Sequence, residues 1–229
     1  MIQLQEVSKK YNRRDALKHV SLVLEQKNVI GLAGENGSGK TTLLKMIAGL
    51  ISADSGSVQM DGVKINRRSA SRIAYMPDVD LFYPAFTTQQ VFNFYASQFS
   101  DFSETKSGEL AQYLKIPLDV KLNDLSKGNR GRAKIAATLA READYYLLDE
   151  PFAGLDPMVR SDIARGLIRF TDPERQAVVL STHEIQEVEP LLDELIVMKK
   201  GEIIARQAVD EIRDELGMDA ASWMVRLFQ

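Results

Sequence analysis

Cysteine is absent from all 229 residues. That excludes disulfides and thiolate metal centres, and it fits a reducing compartment. Long hydrophobic runs are missing too: no stretch approaches the roughly 18 consecutive apolar residues that a membrane span needs. The first residues, Met1-Ile2-Gln3-Leu4-Gln5-Glu6, carry neither the basic patch nor the apolar run of a signal peptide. Charge of one sign is also lacking. A net charge of −3 offers no electrostatic footprint for nucleic acid or for an anionic bilayer over the whole surface. The expectation is a cytoplasmic protein with no nucleic-acid partner and no direct membrane insertion. Any action at a membrane would come from its inner face, through a partner.

What is present is an ordinary folded composition, 45% hydrophobic and 27% charged, long enough for one core with a small inserted subdomain. Apolar runs alternate with segments of helical period, which argues for an α/β architecture. Val29-Ile30-Gly31-Leu32-Ala33 reads as a buried strand entering a glycine-rich turn, and Lys40 to Leu50 as the helix after it, with Gly49 marking its end. Arg72 to Met76 reads as a strand stopped by Pro77. Tyr145 to Asp149 and Ala177 to Ser181 are two more strands, each with a polar end. Ligands of such sheets sit beyond the carboxyl ends of the strands. Between Pro84 and Ala140 helical spacing takes over, with helices expected over Thr88–Phe99, Thr105–Lys115 and Gly128–Arg141. The division is therefore a core of 1–84 and 141–229 with a helical subdomain of 85–140. From Leu195 the chain returns to β structure, turning at Lys200-Gly201, and a short helix follows near Val209–Leu216.

Two motifs carry chemistry. Gly34-Glu35-Asn36-Gly37-Ser38-Gly39-Lys40-Thr41 matches the phosphate-binding loop G-x-x-x-x-G-K-[ST], preceded by a strand and followed by a helix as that loop requires. The bland alternative is a glycine turn capping a helix. Residues Asn36, Gly37, Ser38 and Gly39 would turn backbone N–H groups onto a phosphate, where the helix N-terminus adds positive potential. Lys40 would reach the β- and γ-phosphates of ATP, Thr41 would ligate Mg²⁺, and Thr42 would bond the α-phosphate. The second motif, Leu147-Leu148-Asp149-Glu150-Pro151, sets two carboxylates at a strand end. Asp149 is placed to hold Mg²⁺, and Glu150 to act as general base for the attacking water. Alone, such a pair is as readily a solvated loop.

With those motifs in order, the chain resembles the ATPase subunits of ABC transporters over nearly its whole length. The resemblance implies a P-loop core with an antiparallel β subdomain and an inserted helical subdomain. Leu125-Ser126-Lys127-Gly128-Asn129 resembles the family signature Leu-Ser-Gly-Gly-Gln, whose serine and backbone amides, here Ser126 and Gly128, reach the nucleotide of a second subunit. ATP would then lie between two such chains, alike or different. Ala153-Gly154-Leu155-Asp156 resembles the loop that communicates across that pair. His183 resembles the switch histidine, and Tyr11 the aromatic that stacks on adenine. A lone histidine is usually a bystander, and His19 is left as one.

Two positions depart from the family pattern. Asp78 follows Pro77 where the family has glutamine, bringing a carboxylate that would ligate Mg²⁺ but also adds negative charge beside the triphosphate. Lys127 and Asn129 replace glycine and glutamine in the signature. Leu-Ser-Lys-Gly is more similar to subunits of drug, antibiotic or peptide exporters than to those of importers. The implied partner is a transmembrane permease. Alternatives are a soluble member acting on ribosomes or DNA, and a nucleotide-binding regulator too slow to do work. Eight of the chain's aromatic rings fall between Leu81 and Phe102. Phe92, Tyr95 and Phe99 have helical spacing and read as core, whereas Phe82, Tyr83 and Phe86 lie on a Pro-broken loop, where apolar rings suggest a docking surface for the permease.

Overall fold

The computed structural model describes residues 1–79 and 82–228. In chain order its strands are β1 (Ile2–Tyr11), β2 (Arg14–Leu24), β3 (Val29–Ala33), β4 (Ser55–Met60), β5 (Val63–Lys64), β6 (Ile73–Met76), β7 (Tyr145–Leu148), β8 (Ala177–Thr182), β9 (Glu194–Lys199) and β10 (Glu202–Ala208). The α-helices are α1 (Lys40–Ile47), α2 (Thr88–Gln98), α3 (Glu104–Tyr113), α4 (Lys127–Leu139), α5 (Pro157–Phe170), α6 (Val209–Asp214) and α7 (Ala220–Phe228).

Three hairpins close on two-residue turns: Asn12-Arg13 between β1 and β2, Asp61-Gly62 between β4 and β5, and Lys200-Gly201 between β9 and β10. Both central residues have positive φ in each turn. That is the geometry whose twist matches the flanking strands. The resulting sheets are a four-stranded antiparallel one, ordered β2-β1-β4-β5, and a six-stranded one, ordered β10-β9-β3-β8-β7-β6. The second is parallel from β9 to β6, with β10 added antiparallel at its edge.

Side-chain alternation along the parallel strands divides the interior into two cores. Tyr146, Leu148, Val178, Leu180, Leu195 and Val197 face the helical side, packed with α2 to α7. Their neighbours Tyr145, Leu147, Ala177, Val179, Ile196 and Met198 face the other way, against α1 and the antiparallel sheet. A period of two buried on both faces explains why these strands are apolar throughout.

Helix starts follow capping chemistry. Thr87 accepts from Gln90 N while the Gln90 side chain accepts from Thr87 N, and Ser103, Ser126 and Asp156 cap α3, α4 and α5. The helices expected between Pro84 and Ala140 are present within one or two residues of their expected ends. Helix α1 stops at Ile47 rather than Leu50, because Gly49 takes a left-handed φ of 71.

Candidate functional site

Four parallel strands deliver their carboxyl ends to one place. β3 runs into the Gly34–Gly39 loop. A Cβ on Gly34 would lie 2.3 Å from the Met198 carbonyl, and one on Gly39 would lie 2.5 Å from that of Ala16. Both also have positive φ, so only glycine fits the loop at these points. No side chain caps α1, which leaves its first N–H groups for an anion. Ser38 Oγ is buried without a protein partner, as a hydroxyl waiting for a phosphate oxygen would be. The Lys40 ammonium, only 5% exposed, donates to the carbonyls of Gly34 (2.7 Å) and Glu35 (3.3 Å) and lies 3.5 Å from Glu150 Oε1.

β7 leads directly into Asp149, which is 1% exposed. Its Oδ1 accepts from Thr41 Oγ1 at 3.0 Å and from Ser181 Oγ at 2.8 Å, and its Oδ2 accepts from the Tyr75 hydroxyl at 3.2 Å. Burial, and after it the negative charge of Asp149, pushes the Tyr75 phenol far above its ordinary range, so Tyr75 remains a neutral donor. Glu150 follows with φ 49, a conformation uncommon outside glycine. Its N–H donates to Ser181 Oγ at 2.9 Å. Ser181, at the end of β8, thus bonds both acidic residues. Its neighbour His183 places Nδ1 2.9 Å from Glu150 Oε2. A carboxylate only accepts, so Nδ1 carries the proton in this bond. Glu150 is held between an ammonium and an imidazole.

A cleft of about 790 Å³ opens over these groups. Asn36, Gly37, Gly39, Lys40, Thr41, Thr42, Asp78 and Glu150 line it, and the β1–β2 hairpin closes it with Tyr11, Asn12, Arg14, Asp15 and Ala16. Asp78 is exposed at the end of β6, and its carbonyl accepts from Lys134 Nζ at 2.7 Å. Ser126 and Gly128 are not among the lining residues. Ser126 Oγ accepts from Asn129 N at 3.2 Å. Gly128 makes room for Val159, whose Cγ2 a Cβ there would meet at 2.9 Å. The Lys127 ammonium is folded over Gly154 of its own chain.

Among the described residues no cluster of three or more His, Cys, Asp or Glu could by itself hold a metal. The oxygen donors of Thr41 and Asp149, adjacent and facing a phosphate cradle, nonetheless fit Mg²⁺, which binds through one or two protein ligands plus phosphates and water.

Beside Asp78 lies an apolar groove of about 250 Å³, lined by Leu50, Pro77, Val79, Phe82, Tyr95 and Phe99 among others. Phe92 is buried, as its helical spacing indicates. Phe82 does not stand free on its loop: it is half-buried and packs edge-on against Tyr95 at 5.8 Å. Tyr83 is the exposed ring of the pair, at 67%, with Phe86 5.2 Å from it.

Sequence reasoning did not single out Tyr75, Ser181 or the hairpin residues 12 and 14–16. Ser181 had a signal, a polar residue ending an apolar strand two positions before His183. Tyr75 had none, because an aromatic inside a short strand reads as core.

A model of the ABC transporter family matches residues 17–153, which hold the glycine loop, Ser126–Gly128 and the Asp149–Glu150 pair. The chain is 30% identical over 217 residues to the ABC transporter ATP-binding protein YtrB of Bacillus subtilis, covering 94% of this chain and 74% of the relative. It is 31% identical over 235 residues to the Nod factor export ATP-binding protein I of Burkholderia orbicola, covering 95% and 74%. Among solved structures, an ATP-binding subunit of an ABC transporter superposes over all of both chains with a TM-score of 0.87 at 24% identity.

Proposed function

The chain belongs to the ABC transporter family as an ATP-binding, ATP-hydrolysing subunit, and from that premise we propose how its residues divide the work. The triphosphate of ATP lies along the Asn36–Gly39 backbone, with Lys40 on the β- and γ-phosphates, Thr42 on the α-phosphate and the Tyr11 ring against adenine. Mg²⁺, when bound, would supply positive charge to offset the negative charge of the phosphates. Thr41, Asp149 and Asp78 are the residues to hold it.

Glu150 is the general base. Its carboxylate faces the Lys40 ammonium at 3.5 Å. A γ-phosphate competes for that ammonium and frees the carboxylate to take a proton from water. His183 orients the carboxylate through the 2.9 Å contact and faces the γ-phosphate at the end of β8. The observation that carries this reading is that Glu150, in the cleft beside Lys40, is contacted by both the Lys40 ammonium at 3.5 Å and His183 Nδ1 at 2.9 Å.

Ser126 and Gly128 lie outside their own chain's cleft, which supports their serving the nucleotide of a second ATPase subunit, identical or related. A separate transmembrane permease is the object of the work. The subunit then acts in the cytoplasm, on the inner face of the membrane, with the loop of Phe82, Tyr83 and Phe86 as the surface that meets the permease. Export is the direction we favour, on the Leu-Ser-Lys-Gly signature and the likeness to a Nod factor export protein.

The test is hydrolysis by the Glu150→Gln chain. ATP binding should persist while turnover falls by roughly 10² or more. Lys40→Ala should instead lose ATP affinity in equilibrium binding. Parental turnover in Glu150→Gln would refute the assignment.

A further inference from the structure

Arg160 stands in the first turns of α5, outside the cleft, and its guanidinium touches two segments that flank the reacting groups. Nε donates to the Leu155 carbonyl at 2.7 Å. Nη1 donates to Glu184 Oε2 at 3.0 Å and also pairs with Glu187. Leu155 belongs to the loop descending from Glu150, and Glu184 immediately follows His183. The other carboxylate oxygen of Glu184 lies 3.7 Å from His183 Nε2, while His183 Nδ1 reaches Glu150. These contacts close a ring. It leaves Glu150 along the backbone to Leu155, crosses through Arg160 to Glu184, and returns through His183.

We propose that Arg160 is a positioning residue for hydrolysis, a strap that ties the 153–156 loop to the direction of the His183 ring. The inference rests on the reading of Glu150 and His183 given above. Val159, Ile163 and Leu167 are buried in the core beside it, so α5 fixes the base of the strap. A planar guanidinium serves a carbonyl on one edge and carboxylates on another, which an ammonium cannot do in the same geometry. Displacement of Leu155, by a second subunit pressing on its exposed neighbours Gly154 and Asp156, passes through Arg160 to Glu184 and turns His183. Glu184 and Glu187 are partly exposed. Ion pairs of that kind add little to stability, so the strap should matter for turnover rather than for folding.

The experiment compares Arg160→Ala, Arg160→Lys, Glu184→Gln and the double variant Arg160→Ala with Glu184→Gln, using the full chain. It reads kcat, equilibrium ATP affinity and melting temperature. Arg160→Ala should lose about ten-fold in kcat or more, since small misplacements of reacting groups cost that much, with affinity and melting temperature near the parent. Arg160→Lys should also be slower than the parent. The double variant should be no slower than the worse single one, because both break the same link. Parental kcat in Arg160→Ala, losses that multiply in the double variant, or kcat, affinity and melting temperature falling together would each overturn the strap. Should Arg160→Ala not fold, parental kcat in Arg160→Lys does so. Glu150→Gln is run alongside: if turnover survives there, the reading of the site fails, whereas an inactive Glu150→Gln beside a fully active Arg160→Ala defeats the strap alone.

Discussion

Asp78 stands where the family resemblance leads one to expect glutamine, and the cleft includes it. A carboxylate there sits on the same opening as Glu150 and the phosphate cradle. It would hold Mg²⁺, repel the triphosphate, or stand solvated at the rim. If it holds the ion, Asp78→Asn should raise the Mg²⁺ concentration for half-maximal turnover, and Asp78→Gln should be tolerated better than Asp78→Ala. A Mg²⁺ titration of ATPase rate checks this, and a dependence unchanged from the parent in all three would return Asp78 to a solvated loop. Ser181 makes a contrasting case. Its hydroxyl is fully buried and bonds both acidic residues, yet the sequence presents it only as the polar end of a strand. Lys40, Thr41, Asp149 and Glu150 were legible because a phosphate loop and an acidic strand end have local patterns. Ser181 and Tyr75 act through partners 32 and 74 positions away in sequence, and no local pattern records that.

At the scale of elements, helices with strong caps and strands buried on both faces were readable one by one. Helix α5 was not anticipated, although Asp156-Pro157 is a direct start signal, an N-cap followed by proline at the first helical position. The family resemblance drew those residues into a loop instead. The aromatic stretch after β6 also divides differently from its sequence reading, because contact with Tyr95 takes Phe82 partly into the core. Two single changes separate the roles. Tyr83→Ser should leave the isolated protein folded and active but release it from membranes that carry the permease. Phe82→Ser should lower stability by about 1–3 kcal/mol, the range for a partly buried apolar ring. Thermal melts and co-fractionation read the two outcomes. A Tyr83→Ser chain that melts much earlier would show that its ring is core after all.

For the whole molecule, the question is why half of the proposed site lies away from the cleft. Ser126 and Gly128 open α4, while Lys40 opens α1, and the two helices pack on opposite faces of the parallel sheet. Neither Ser126 nor Gly128 lines the cleft that Lys40 lines, and in the reading proposed above they serve the nucleotide of a second subunit. The Glu150→Gln chain should sediment as a monomer or weak pair without nucleotide and as a dimer with ATP and Mg²⁺. A strict monomer at high concentration would remove the role given to Ser126 and Gly128. The sequence by itself determined the phosphate loop, the acidic pair, the alternation of strand and helix and the family, because each is written in adjacent residues or in a fixed period. Only the tertiary structure decided that Glu150 sits between Lys40 and His183, that Ser181 ties the two acids, that the β1–β2 hairpin walls the cleft and that Arg160 closes a ring around the base. Those facts depend on which strand lies beside which, and parallel neighbours in this sheet are joined by connections tens of residues long, so their side chains meet only after the chain has folded.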